Sequence, residues 1–403
     1  MTPPTDALID VGEAQRRIAA SIAPLPDESV PTAQAGGRVL REDVHASRDQ
    51  PPFDRATMDG IALSSKDTAR ELTVTGIGAA GAPPLAYAGP GTCVEIMTGA
   101  VVPQGCDCVV PVERLTRHED RAMIDADARR EAGTFVHPRG SDHTAGTTLL
   151  SSGTRLDAAA LAVLVSTGRE QVRVSRVPAL CVLASGDELI DLGQPVADYQ
   201  VRRSNDYAAA ALLSAHGWRD VTRAHVRDDR EAVEAAVARA LEFDAVILTG
   251  GVSKGRYDYL PEALEAGGVT RVFHRVAQRP GKPMWFGTGP AGQLVFALPG
   301  NPVSALTCLR RYVLSTLRQL SGEAHPPPAS FAVLDDDVSF KPSLTWLAAA
   351  CRVESADGTR RVRVRRVNTS GDFTGLVGTH GIVELPANVT EFAAGTPVRW
   401  FAW

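Results

Sequence analysis

Apolar positions change period several times along the chain, and each change marks a different kind of element. Between residues 6 and 23, Leu8, Val11, Ala14 and Ile18 recur at helical spacing, and Pro24 and Pro26 end the run. Arg38–Val44 reads as a turn or short helix. From Pro51-Pro52 to about Pro138 the helical period is lost, and short runs such as LTVTGI, TCVEI and CDCVVPVE predict strands between turns. Residues 157–167, DAAALAVLVST, return to a helix that Gly168 ends.

From residue 179 the pattern alternates. A buried strand over Ala179–Ala184 is followed by a helix over 206–216, a strand over Val221–Val226 and an amphipathic helix from Arg230. Next come the apolar run Val246–Leu248, a helix near Pro261 and a strand over Leu294–Leu298. A final helix after Asn301 carries Val303, Leu306, Leu309, Val313, Leu317 and Leu320 on one face. Such alternation is the signature of an α/β domain. HPPPAS at 325–330 reads as a linker, and RVRVRRV, GIVEL and PVRWFAW beyond it read as β. The expected architecture is multidomain α+β and α/β. Residues 1–44 with 144–176 form a discontinuous linker and dimerisation domain around an inserted β-rich domain, 45–143. An α/β domain, 177–325, and a C-terminal β-barrel-like domain, 326–403, complete the chain.

A length of 403 residues is long for one core and agrees with several domains. A net charge of -5 argues against a general nucleic-acid surface. MTPPTDALIDVGEA has no basic region followed by an apolar one, and no run reaches membrane-spanning length. A cytoplasmic location is therefore expected. Six cysteines are too few for a disulfide scaffold. Cys106 and Cys108 would share a face if their segment is a strand. No second half of a zinc site accompanies them, and core packing is favoured over ligation of a soft metal. Cys93 lies near them; Cys181, Cys308 and Cys351 read as core, and His274 as structural.

Candidate chemistry concentrates in 244–304. Thr249-Gly250-Gly251 ends one strand and Pro299-Gly300 ends another, and glycine turns at strand ends let backbone N–H groups converge on an anion. Ser253 adds a hydroxyl, and Lys254, Arg256, Arg279 and Lys282 add positive charge. Asn301 can cap the following helix, with Pro302 in its first turn. Asp187 and Glu188 of SGDEL, and Asp258, are placed at neighbouring strand ends, where carboxylates could hold magnesium against phosphate oxygens. Asp228-Asp229 is a weaker pair. Asp59-Gly60, Thr98-Gly99, Asp107 and Glu113 mark polar turns in the β-rich region.

The segments PPFDRATMDG, IMTGAVVPQGCDCVVPVE, SGDEL, SNDYAAAALL, ILTGGVSKGRYDY, RPGKP and ALPGNPVSA, in this order, resemble the molybdopterin molybdenumtransferase family, which includes the bacterial enzyme and the E domain of gephyrin. The C-terminal GIVELPANVTEFAAGTPV is similar to the family's last domain. The resemblance implies an elongated, L-shaped, four-domain subunit that forms a homodimer. It implies insertion of molybdate into adenylylated molybdopterin with release of AMP, supported by magnesium, in molybdenum cofactor biosynthesis. Partners would include the upstream adenylyltransferase and apo-molybdoenzymes.

By the same resemblance Asp59, Thr98, Glu188, Asp228, Asp258 and Lys282 match active-site positions, with Glu188 and Asp258 holding the metal. Gly250, Gly251, Ser253, Lys254, Arg279, Pro299, Gly300 and Asn301 match ligand loops. Asp59 and Thr98 would approach the cleft of the other subunit. The chain departs from the family pattern at Arg55-Ala56-Thr57, usually asparagine-serine-alanine, and at Lys254, usually small and apolar. Arg279 replaces a lysine, Arg203 stands where an aspartate is usual, and Cys106 and Cys108 replace alanines. Two other readings stand beside the leading one: a divergent paralogue that handles another pterin nucleotide or oxyanion, and a non-catalytic dimeric scaffold.

Overall fold

The computed structural model describes residues 8–251, 259–324 and 329–403. Its centre is a six-stranded sheet in the order Val221–Val226, Leu180–Ser185, Ala245–Thr249, Leu294–Leu298, Trp285–Thr288, Thr270–His274. The first four strands are parallel and the last two antiparallel. Leu180–Ser185, Ala245–Thr249 and Leu294–Leu298 are buried throughout, which explains their unbroken apolar runs. Helices cover both faces. Asn205–Ala215 and the helical stretch 302–320 share one core with Leu180, Ile247 and Phe296, while Arg230–Ala240 and Leu260–Ala266 share another with Leu183, Leu248 and Val295. From Leu180–Ser185 the chain winds first to one side and then back to the other. The strand order therefore reverses between Leu180–Ser185 and Ala245–Thr249, and a crevice opens at their C-terminal ends.

The first helix is Val11–Ala20, shorter than its periodicity suggests. Asp10 caps it by accepting from Glu13 N–H, and Val11, Ala14 and Ile18 enter the core of the α/β sheet. Leu8 lies outside the helix and is exposed. Arg38–Val44 is a turn leading to the short strand Val44–His45, with no helix. Asp27–Pro31 pairs with Gln171–Ser175, and one small core joins Ala35, Leu40 and Val44 to Leu156, Leu164 and Val174. Two chain segments far apart in sequence thus build one unit on either side of the intervening β region. That region forms a second six-stranded sheet with its own two cores.

The C-terminal strands close into a five-stranded barrel. Ser330–Leu334, Pro397–Ala402, Gly381–Leu385, Thr345–Val353 and Arg361–Val364 pair in succession, and the last returns to the first. Two joints tie barrel to α/β domain. Gln278–Arg279 pairs in parallel with Thr345–Trp346. A π-turn at Leu309–Val313 interrupts the last helix, a device frequent where a helix meets a functional feature. It places Arg310 and Arg311 under the barrel. Arg311 is 2% exposed and donates to Glu384 at 2.6 Å, while Arg310 donates to the Ala402 carbonyl. Burial lowers the Arg310 guanidinium to about 10. No helix among the described residues is long and apolar enough to cross a membrane.

The cysteines are all free. Cys93, Cys108, Cys181 and Cys308 are buried, and burial pushes Cys106 and Cys108 up to about 12, far from a reactive thiolate. Cys106 does not share a face with Cys108. The strand begins at Cys108, and Cys106 lies in the turn before it, against a different core. Cys351 is half-buried rather than core.

Candidate active site

Three glycine loops converge at the crevice. Gly250 has φ +95, and a Cβ there would meet the Ser185 carbonyl oxygen at 2.9 Å; Gly300 lies beside it, where a Cβ would stand 3.4 Å from Gly250 Cα. At Gly250 only glycine lets this strand end come so close to that of Leu180–Ser185. Gly186 (φ +146) leaves room for the Glu188 carboxylate to fold back over the strand end, since a Cβ would sit 2.5 Å from Glu188 Oε2. Asn205 Nδ2 donates to the Gly300 carbonyl at 2.6 Å and fastens the loops together.

These loops line a cavity of about 830 Å³. Glu188, Asp228, Gly250, Gly251, Pro299, Gly300 and Asn301 all contribute to its wall. Asp228 is held by Ser185 Oγ at 2.9 Å. Ser253, Lys254, Arg256 and Asp258 lie outside the described residues. Asp187 does not line the cavity. Its carboxylate accepts from Arg227 at 3.1 Å, which holds it below the usual aspartate range. Asp229 caps Arg230–Ala240 through Ala232 N–H. Asn301 occupies the N-cap position of its helix without capping it; its Nδ2 instead donates to Ser370 Oγ at 2.8 Å, bridging to the C-terminal domain.

A second cavity of about 700 Å³ shares Pro283, Pro299 and Asn301 with the first and lies between the α/β domain and the barrel. Arg279, Lys282, Lys341, Arg365 and Arg366 line it, and no carboxylate does among the described residues. Its aromatic wall is Phe340 stacked on Trp346, with ring centroids 4.7 Å apart, and the Arg366 guanidinium lies 5.3 Å from the Trp346 ring. Lys341, Arg365, Arg366 and the two aromatics escaped the sequence reading. The basic run RVRVRRV was visible there, but it read only as a strand. The structure ends the strand at Val364 and leaves Arg365 and Arg366 beyond it.

The loop with Arg279 and Lys282 rests on buried polar groups. Gln278 is fully buried; its Oε1 accepts from Tyr312 Oη, and its Nε2 donates to the Gly281 carbonyl at 3.3 Å. Burial pushes the Tyr312 phenol up, so it stays a neutral donor. Gly281 (φ +90) fits where a Cβ would overlap Cys308 Sγ.

Asp59 and Thr98 lie in the inserted domain and line neither cavity. They pair with each other: Asp59 Oδ1 accepts from Thr98 N–H at 2.6 Å and from Thr98 Oγ1 at 2.7 Å. The backbone donor first, and then the hydroxyl, hold the carboxyl below its ordinary value. Arg55 does not reach the cavities either; its Nη2 meets His137 Nδ1 at 3.0 Å, and Asp142 takes the other ring nitrogen at 3.0 Å. Asp107 is used internally by Ser65, and Glu113 is exposed. Among the described residues no group of three or more histidine, cysteine or carboxylate side chains could hold a metal.

An open α/β sheet with glycine loops at its switch point, joined to a β-barrel across a basic cavity, is the architecture of a protein that binds an anionic ligand. Comparison makes this specific. Residues 9–168 match the model of the MoeA N-terminal region (domain I and II), and residues 181–319 match the probable molybdopterin binding domain. The chain is 36% identical to a molybdopterin molybdenumtransferase of Synechocystis over 98% of its length and 100% of the relative's, and 30% identical to that of Staphylococcus aureus over 97% and 94%. A crystal structure of a molybdopterin biosynthesis protein from Pyrococcus horikoshii superposes with a TM-score of 0.81 at 28% identity, covering 98% of this chain and 99% of that one. The chain belongs to the molybdopterin molybdenumtransferase family.

Proposed function

We infer that the chain carries out the reaction its family is named for: it inserts molybdate into adenylylated molybdopterin and releases AMP, in molybdenum cofactor biosynthesis. One observation carries the division of labour, namely two adjoining cavities of opposite charge with a shared wall. The AMP half sits among the glycine loops. The pterin phosphate, the dithiolene and the incoming molybdate sit in the basic cavity, where Lys282 and Arg279 bind anionic oxygens and Phe340 and Trp346 offer an apolar wall. The pyrophosphate bond then spans Pro283, Pro299 and Asn301. Catalysis on this reading is positioning and electrostatic stabilisation.

The donor set of the glycine-loop cavity suits magnesium. Magnesium takes one or two carboxylates and completes its shell with phosphate oxygens and water. Glu188 and Asp228 supply such a pair, and Asp258 is a further candidate from the sequence. When bound, the ion would neutralise charge on the phosphates. The Asp59–Thr98 pair lines neither cavity of its own chain, which supports a homodimer in which the partner chain brings that pair to the cleft. Six free cysteines suit a reducing compartment and support a cytoplasmic location, which cell fractionation checks. An adenylyl-transferring enzyme would supply the substrate, and apo-molybdoenzymes would take the product.

The deciding experiment follows AMP release from adenylylated molybdopterin with magnesium, with and without molybdate, and tests the product on an apo-molybdoenzyme. Molybdate-dependent release with an activating product is expected. Tight binding with no release would instead favour a paralogue that holds a ligand without processing it.

A further inference from the structure

The glycine-loop cavity poses an electrostatic problem. Glu188 and Asp228 present two carboxylates to a space that, with the nucleotide assigned to it, takes a phosphate. Among the described residues lining it, Arg203 is the sole cation. Its side chain is 10% exposed, and its Nε is buried without a hydrogen-bond partner, against Asp206 rather than the cavity. Asp206 Oδ2 lies 3.2 Å from that Nε without hydrogen-bond geometry, and Asp191 Oδ2 lies 3.2 Å from Nη2.

A closed polar ring fixes this guanidinium. Asp206 is fully buried and also faces Arg223 at 3.3 Å. Arg223 lies 3.7 Å from the centroid of the Tyr207 ring, and Tyr207 Oη donates to Asp191 at 2.7 Å. Two arginines balance two aspartates, so the ring is neutral and needs no outside counter-ion. Arg223 belongs to the ring but lines neither cavity. Arg203 alone joins the ring to the cavity wall, beside the uncapped N-terminus of Asn205–Ala215.

We propose that Arg203 is a specificity-determining residue that recognises the phosphate of the AMP half. The inference rests on the assignment of the nucleotide to this cavity. A planar guanidinium held by two carboxylates is already oriented, so little rotamer freedom is lost when it meets a phosphate. Its guanidinium is the positive group among the described residues on the cavity wall and supplies a charge-assisted bond that a neutral nucleoside cannot use.

The test titrates AMP and adenosine, separately, into the full-length protein in magnesium buffer by calorimetry. Wild type should prefer AMP. Arg203→Gln should lose about tenfold in AMP affinity, as for one charge-assisted contact, and keep its affinity for adenosine. Arg223→Gln should keep the AMP preference even where its melting temperature falls. Should Arg203→Gln fail to fold, Arg203→Lys reads the same preference, with a smaller loss because the charge remains without the fork. An unchanged preference in the Arg203 variants overturns the inference, as does equal loss in Arg223→Gln, which would reduce Arg203 to a member of the ring. Wild type that binds AMP and adenosine equally overturns it too, while leaving a nucleoside site. Wild type that binds neither removes the nucleotide assignment itself.

Discussion

The glycine-loop cavity and the basic cavity meet at Pro283, Pro299 and Asn301, yet they are built in opposite ways. The first comes from backbone. Strand ends and glycines shape it, and its charged side chains among the described residues are Glu188, Asp228 and Arg203. The second comes from side chains of two domains, with five cations among the described residues and a stacked aromatic pair. A single site for one anion would need only one of these. Two linings suit a ligand with two unlike halves joined by a bond to be broken, each half being held by the chemistry it lacks in the other.

The largest expected effect separates the halves. Lys282→Met removes a cation that has no carboxylate partner among the described residues. It should slow molybdate-dependent AMP release by roughly 10²–10³-fold, the size expected for losing a preorganised electrostatic contact. Affinity for AMP alone should stay within about twofold, because the two contacts do not share a partner. Glu188→Gln should act in the other cavity: release falls, while AMP binding measured without magnesium holds or tightens because a repelling charge has gone. Equal damage to release and AMP binding by Lys282→Met would erase the distinction between the cavities.

That contrast also explains what the sequence could show. The glycine-loop cavity was legible because backbone sites leave local marks. An apolar run that stops at Thr249-Gly250-Gly251 or Leu298-Pro299-Gly300 predicts both the strand and the turn at its end. Glu188 was marked by its place after such a strand, whereas Asp228 stood out only weakly beside Asp229 and through the family resemblance. The basic cavity was half-legible. RPGKP announced Arg279 and Lys282, but the barrel's contribution depends on where Arg361–Val364 ends and on the closure of five strands, and no local pattern encodes either. Asn301 misled for a similar reason. Its position is that of a cap, but a residue 69 positions away in sequence, Ser370, takes its side chain. Asp187 and Glu188 were equivalent in sequence, and contacts with Arg227 and the Asp228 N–H set one of them apart.

A smaller effect tests how the basic cavity is held. Tyr312→Phe deletes the donor to Gln278 Oε1 and leaves a buried acceptor unsatisfied, at a cost of about 1–3 kcal/mol in chemical denaturation. Because Gln278 precedes Arg279 and also binds Gly281, the loop should loosen, and kcat/KM should fall by up to about tenfold with misplacement of the cations. AMP affinity should not move, since the glycine loops do not depend on this bond. A variant with wild-type stability and wild-type kcat/KM would mean the buried bond does not hold the loop.

The smallest effect asks whether the two cavities need a third wall. Asp59 and Thr98 satisfy each other on the surface of the inserted domain and touch neither cavity of their own chain. If a second copy brings them to the cleft, Asp59→Asn and Glu188→Gln damage the same site from different chains. Each variant alone should lose most of its activity, short of the loss in Lys282→Met. Mixed one to one after dissociation, half of the dimers should be hybrids, each with one intact cleft, so that about a quarter of wild-type activity returns. A cleft completed within one chain gives no recovery at any mixing ratio, because every subunit then carries one of the two lesions. The fraction recovered also reports geometry: a quarter requires that the pair from one chain serve only the cleft of the other, and a lower plateau with complete exchange would show that the cleft also draws on the pair of its own chain.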